Sequence, residues 1–191
     1  MKVMTILGIR PDWIKASMVL KRLDVTKSIT HVIVHAGQHY SYNLDKIFFE
    51  ELELRLPDYR LEVGSGTQGE QTARIIERSE EVIMQENPDV VVLLGDSNTS
   101  LAGISAAKLN VEVAHLEAGM RSNGWRMPEE KNRRIIDHIS DYLFPPTTIA
   151  SDNLVKEGIN PYKIFEVSKI IIDARAIFMW QTRHPILTKQ K

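Results

Sequence analysis

Apolar positions along this chain fall in short unbroken runs separated by longer stretches of helical period. The runs lie at 2–7 (KVMTIL), 30–36 (THVIVHA), 89–94 (DVVVLL), 111–116 (VEVAHL), 142–144 (YLF) and 163–167 (KIFEV), and each predicts a strand. Between them the period lengthens. Trp13, Ala16, Leu20 and Leu23 share one face of a helix that Pro11 can open, since a missing N–H costs nothing in the first turn. Further helices are predicted at 43–54, 71–85 (Ile75, Ile76, Val82 and Ile83 on one face), 101–109, from Pro128 (Ile135, Ile136, Ile139) and at 147–157, where Gly158 ends it; 170–178 can begin another. Asn87-Pro88 stops the helix before the third strand. The run at 89–94 is continuous rather than alternating, the mark of a parallel sheet covered on both faces. Strand–helix alternation of this kind implies an α/β fold, a doubly wound parallel sheet with right-handed crossovers. The pattern covers 1–174 as one Rossmann-like domain. It fades over 175–191, expected to be a loose tail or the start of an interdomain segment.

Polar groups then collect at the ends of these strands. Arg10 follows the first, Gln38-His39 the second, Asp96 the third and Glu117 the fourth. In a parallel sheet all these ends share one edge, and the crevice there is where open α/β sheets bind ligands. Lys15 lies in the first turns of the Pro11 helix, whose free N–H groups make an anion site. The densest stretch is 115–134, HLEAGMRSNGWRMPEEKNRR, which adds Arg121, Glu129 and Arg133. Cations so placed hold phosphate, Arg in a fork and Lys as a point charge. Carboxylates so placed move protons if burial or repulsion lifts them toward neutrality.

Plainer roles compete. Asp96 can cap the next helix. Glu129 and Glu130 each stand four residues before an arginine, as solvated ion pairs do. His115 can be a core histidine, and Arg10 and Lys15 can be surface charges. Glu117, charged and directly after a buried strand, requires a partner. Gly64-Ser65-Gly66-Thr67-Gln68-Gly69 matches the dinucleotide fingerprint in letters, but it follows a polar loop instead of the first strand and reads as a helix entry.

Composition narrows the classes. The chain has 191 residues, enough for one domain with a sizeable core. A net charge of −1 gives no field that draws nucleic acid or an anionic membrane. With no cysteine there is no disulfide, thiolate nucleophile or Cys–zinc site. His35, His39 and Asp45 do not make a convincing metal set. No signal peptide or membrane-length apolar run is visible, so a cytoplasmic protein is expected.

Taken together, Gly8-Ile9-Arg10-Pro11 with Lys15, Gly37-Gln38-His39, Gly95-Asp96-Ser97-Asn98-Thr99, 115–121 (HLEAGMR) and Pro128-Glu129-Glu130 through Asn132-Arg133 resemble the non-hydrolysing UDP-N-acetylglucosamine 2-epimerases. The segments occur in family order and near family spacing. The resemblance implies the N-terminal half of a glycosyltransferase-B type two-domain fold, its C-terminal domain absent from this chain. It implies interconversion of UDP-GlcNAc and UDP-ManNAc for surface polysaccharide synthesis, by elimination of UDP to 2-acetamidoglucal and re-addition, with no cofactor and no metal. By the same resemblance Asp96, Glu117 and Glu129 are the catalytic carboxylates. Arg10, Lys15, Arg121 and Arg133 bind or orient the substrate, and Gln38 and Gln71 touch a regulatory UDP-GlcNAc. The alternatives are a sugar-nucleotide-binding fragment that is inactive or needs a separate C-terminal half, and a hydrolysing epimerase that releases ManNAc and UDP. A homodimer is a further expectation. The family chain is about twice as long, and its other half supplies most uridine-diphosphate contacts and a catalytic histidine.

Overall fold

Six parallel strands form one sheet in the order β3-β2-β1-β4-β5-β6. They are β1 (Lys2–Leu7), β2 (Thr30–His35), β3 (Tyr59–Arg60), β4 (Val90–Leu94), β5 (Glu112–Leu116) and β6 (Tyr142–Phe144). The helices are α1 (Arg10–Val25), α2 (Gln68–Glu86), α3 (Ala102–Lys108), α4 (Pro128–Ile139) and α5 (Thr148–Lys156). Short 3₁₀ turns occupy Asn98–Leu101 and Pro161–Lys163. The structure is a computed structural model, and it describes residues 1–37 and 49–168. Gln38, His39, the first half of the helix expected over 43–54, the helix expected at 170–178 and the tail lie outside the described residues.

Strand residues alternate between two cores because side chains alternate across a pleated sheet. Met4, Ile6, Val32, Val34, Val91 and Leu93 face α2, α3 and α4, where Ile75, Ile83, Ala102, Ala106 and Ile136 meet them. On the other side, Leu7, Ile33 and Leu94 receive Trp13, Ala16 and Leu20 of α1. Leu20 is fully buried, worth about 2 kcal/mol of transfer free energy. The chain runs outward from β1 to β3, then returns to β4 beside β1 and runs outward the other way. The strand order therefore reverses between β1 and β4, which opens a crevice at their carboxyl ends.

Two features differ from expectation. β3 has no counterpart among the sequence runs: it is a two-residue edge strand, held by Asp58 N–H to Ile33 O at 2.8 Å and Leu61 N–H to His35 O at 2.9 Å. The strand expected at 163–167 is only an extended stretch beside β6. Ile164 forms a single parallel bridge with Leu143, and Phe165 and Val167 donate to Leu143 O and Pro145 O. Pro145 and Pro146, on the opposing side, have no N–H to continue the ladder. The glycine-rich segment is a helix entry, as expected. Thr67 and Glu70 form a reciprocal capping box at the start of α2. Among the described residues no helix is long and apolar enough to cross a membrane.

Candidate active site

Three loops leave the carboxyl edge side by side, and each starts with a backbone constraint. After β1 the chain passes Gly8, where a Cβ would overlap Thr99 Oγ1 of the loop after β4, so this glycine lets the two loops touch. After β4, Gly95 has φ +68°, a left-handed conformation natural to glycine. After β5, Glu117 takes φ 63°, which costs a side-chain-bearing residue about 1 kcal/mol or more. Its carboxylate is what the conformation delivers. Glu117 Oε2 accepts from Lys15 Nζ at 2.8 Å, and both side chains are largely buried. Glu117 thus has the partner that its position demanded.

Asp96 does not cap the helix after it. The 3₁₀ turn has Ser97 at its N-cap with no side-chain bond, while the Asp96 carboxylate is bonded by the Arg133 guanidinium from α4. Asn132 on the same helix donates Nδ2–H to Asp96 O at 3.1 Å and to Asn98 Oδ1 at 3.0 Å. Asn98 in turn donates to Gln68 and to Gln71 on α2 at 2.8 and 3.1 Å. The loop is therefore tied to two helices. Glu129 and Gln71 line a cavity of about 260 Å³ with Gly8, Gly37 and Asn98. Glu129 is half-buried, and its side chain makes no hydrogen bond to another described residue.

The pairing expected within α4 is realised differently. Glu130 is 1% exposed, and it accepts from Arg133 and Arg134 and from the Ser122 N–H and hydroxyl. Its face is not solvated, and Arg133 turns to Glu130 and Asp96 instead of Glu129. Arg121 is turned inward as well. Its side chain is 3% exposed and lies between Asp137 at 2.8 Å and Glu157. Those charges outweigh the burial that alone would pull its pKa down, and hold it above the usual arginine value. The structure brings Asp96, Glu117, Glu129, Lys15, Arg133 and Gln71 to one edge. Arg10 opens α1 at that edge, and Gln38 lies outside the described residues.

One carboxylate at this edge was not singled out from sequence. Asp12, in the first turn of α1, is 5% exposed and receives the Ser97 hydroxyl at 3.4 Å. Burial pushes its carboxyl up to about 6, against the lowering effects of the Ile9 backbone and Lys15. An acid after Pro11 reads as an ordinary helix-dipole acid, and only the tertiary contact with Ser97 distinguishes it.

The fold and this edge define a Rossmann-like domain with paired carboxylates and cations at the switch point of its sheet. The chain belongs to the UDP-N-acetylglucosamine 2-epimerase family, whose model matches residues 21–190. It is 54% identical over 175 residues to the UDP-N-acetylglucosamine 2-epimerase of Methanocaldococcus jannaschii, across 91% of this chain and 48% of that protein. It is 44% identical over 189 residues to the UDP-2,3-diacetamido-2,3-dideoxy-D-glucuronate 2-epimerase of Pseudomonas aeruginosa, across 97% of this chain and 53% of that one. The crystal structure of the M. jannaschii UDP-GlcNAc 2-epimerase in complex with UDP-GlcNAc and UDP superposes with a TM-score of 0.89 at 49% identity, covering all of this chain and 51% of the other. The chain thus spans about half the length of the relatives it matches, as one half of a glycosyltransferase-B type fold.

Proposed function

We propose that this chain is the N-terminal, proton-transferring half of a UDP-GlcNAc 2-epimerase that interconverts UDP-GlcNAc and UDP-ManNAc. The observation that carries this reading is the meeting of Asp96, Glu117 and Glu129 with Lys15 and Arg133 at one sheet edge of a family member. In the proposed reaction a carboxylate takes the weakly acidic C2 proton and UDP leaves. UDP then returns to the 2-acetamidoglucal as a proton arrives on the other face. Glu117 and Asp96, each against a fixed cation, are the partners for that cycle. Glu129, with no partner among the described residues, is the carboxylate free to meet substrate at the cavity. Lys15 and Arg10 at the α1 start face the charge that grows on departing UDP. Arg121 has no place in substrate contact, because its donors are committed inward.

The test is solvent exchange at the sugar. The chain is incubated with UDP-GlcNAc in D₂O, and NMR follows deuterium at C2, UDP and ManNAc. Deuterium in both UDP-sugars supports the non-hydrolysing cycle. Free ManNAc with UDP shifts the assignment to the hydrolysing reaction. Absence of any exchange, with the fold confirmed by circular dichroism, overturns turnover by this chain alone. The remaining reading rests on the chain spanning about half of its relatives: the site then needs a separate C-terminal half to close it.

A further inference from the structure

His115 is completely buried at the end of β5, and both of its ring nitrogens face acceptors. Nδ1 lies 2.7 Å from Asp137 Oδ1, and Nε2 lies 2.7 Å from the carbonyl oxygen of Gly95. A neutral imidazole has one donor and one acceptor nitrogen, so it satisfies only one of these two contacts. The imidazolium satisfies both. Asp137 is not a donor here. It also accepts from Gly119 N–H at 3.1 Å and pairs with Arg121. Burial would raise its carboxyl, but the His115 hydrogen bond and charge, with Arg121, outweigh it and hold it below the usual carboxylate range.

The same pair is one segment of a closed ring. From Asp137 the contacts run to Arg121, to Glu157, to Arg134, to Glu130, to Arg133 and to Asp96. Asp96 is covalently next to Gly95, whose carbonyl returns to His115. Charges alternate at every step. Four carboxylates stand against three guanidiniums and His115, so the ring is charge-balanced when His115 carries a proton.

We propose that His115, as an imidazolium bridging Asp137 and the Gly95 carbonyl, is a positioning residue that fixes Asp96 beside Glu117 at the reacting edge. This rests on the proposed epimerase reading only for the chemistry being positioned. His115 touches no substrate. It fixes the peptide that carries Asp96 from one side while Arg133 fixes the carboxylate from the other. Because His115 and Glu117 are two residues apart on one strand end, the bridge ties the β4 and β5 loops into one unit. Such support matters because a displacement of about 1 Å at a catalytic group can cost roughly 10²-fold in rate.

The deciding experiment labels the whole chain with ¹⁵N and reads the His115 ring in the absence of substrate. Both nitrogens are expected to carry protons at neutral pH, as the two acceptor contacts require. A single protonated nitrogen at neutral pH overturns the proposal, and this reading needs no variant to fold. His115→Gln, which can bond only one of the two partners, is expected to move the amide resonances of Gly95 and Asp96 and leave those of the amino-terminal end of β1 in place. Unmoved Gly95 and Asp96 resonances overturn it. With UDP-GlcNAc in D₂O, the variant is expected to lose about tenfold or more in kcat for C2 exchange with KM within about threefold. Wild-type kcat in the variant counts against positioning. Should the wild-type chain show no exchange, the epimerase reading of this chain alone fails, and the two spectroscopic arms still decide His115.

Discussion

Asp12 is the acid least suited to its surroundings, and its pH behaviour follows from that. Its folded carboxyl is raised to about 6 from an ordinary 3.8, so the folded chain holds this proton where the unfolded chain has lost it. The stability from neutral Asp12 is fully present below about pH 3.8 and is lost as pH rises through about 6. The full loss is of order 2–3 kcal/mol. Asp12→Asn keeps the shape without the charge. It is expected to exceed wild type in urea-unfolding stability by about 1–3 kcal/mol at pH 8, with a much smaller gap at pH 4.5. An equal gap at both values would show that the carboxyl does not titrate as described. Glu117 differs in having an ammonium partner, Lys15 Nζ at 2.8 Å. Glu117→Gln is expected to lower C2 exchange by about 10²- to 10⁴-fold with the circular dichroism spectrum unchanged. Exchange within threefold of wild type would remove Glu117 from proton transfer. Glu117 was legible in sequence because a strand's end can be read from its apolar run. The inward turn of Arg121 was not, since its partner Glu157 is remote in sequence and no local pattern joins them.

At the scale of elements, what was legible depended on burial. Strands β1, β2, β4 and β5 are buried on both faces and so read as apolar runs. β3 is a two-residue edge whose side chains are half-buried and exposed, so it carries no apolar signature. The stretch at 163–167 has the signature but faces two prolines, and periodicity does not register what the neighbouring strand lacks. The α2 start was legible as punctuation, and its physical content is the capping box. Thr67→Ala should cost about 1 kcal/mol in urea unfolding. A loss under roughly 0.3 kcal/mol would mean that the box contributes little. The close approach of the β1 and β4 loops gives a sharper test. Gly8→Ala places a methyl on Thr99 Oγ1 and is expected to destabilise by about 1–3 kcal/mol. Thr99→Ala in the same chain should recover part of that loss, because the hydroxyl is the nearest atom. Strict additivity of the two substitutions would show that the loops do not meet at these residues.

On the scale of the whole molecule, the candidate edge belongs to a chain that spans about half the length of its relatives. The side chains around it include exposed apolar ones: Ile9 and Ile14 at the start of α1, and Met120, Trp125 and Met127 between β5 and α4. Trp125 is 64% exposed, with the Arg134 guanidinium 5.6 Å from its ring centre. Large apolar groups gathered at the mouth of a polar site commonly mark a surface that meets another, and the relatives matched here are about twice as long as this chain. A second half covering this edge would take its carboxylates further from water, which favours removal of a C2 proton and a firmer hold on a sugar nucleotide. The prediction is that the separately produced C-terminal half of the M. jannaschii relative, added in excess, raises C2 exchange by about tenfold or more. Trp125→Ala should lower the apparent affinity of the two halves while leaving the chain's own fold intact, because the side chain is mostly in solvent. The readout is exchange rate against concentration of the added half. A rate independent of that concentration, with both halves folded, would count against complementation at this edge. The activity, or its absence, would then belong to these residues alone.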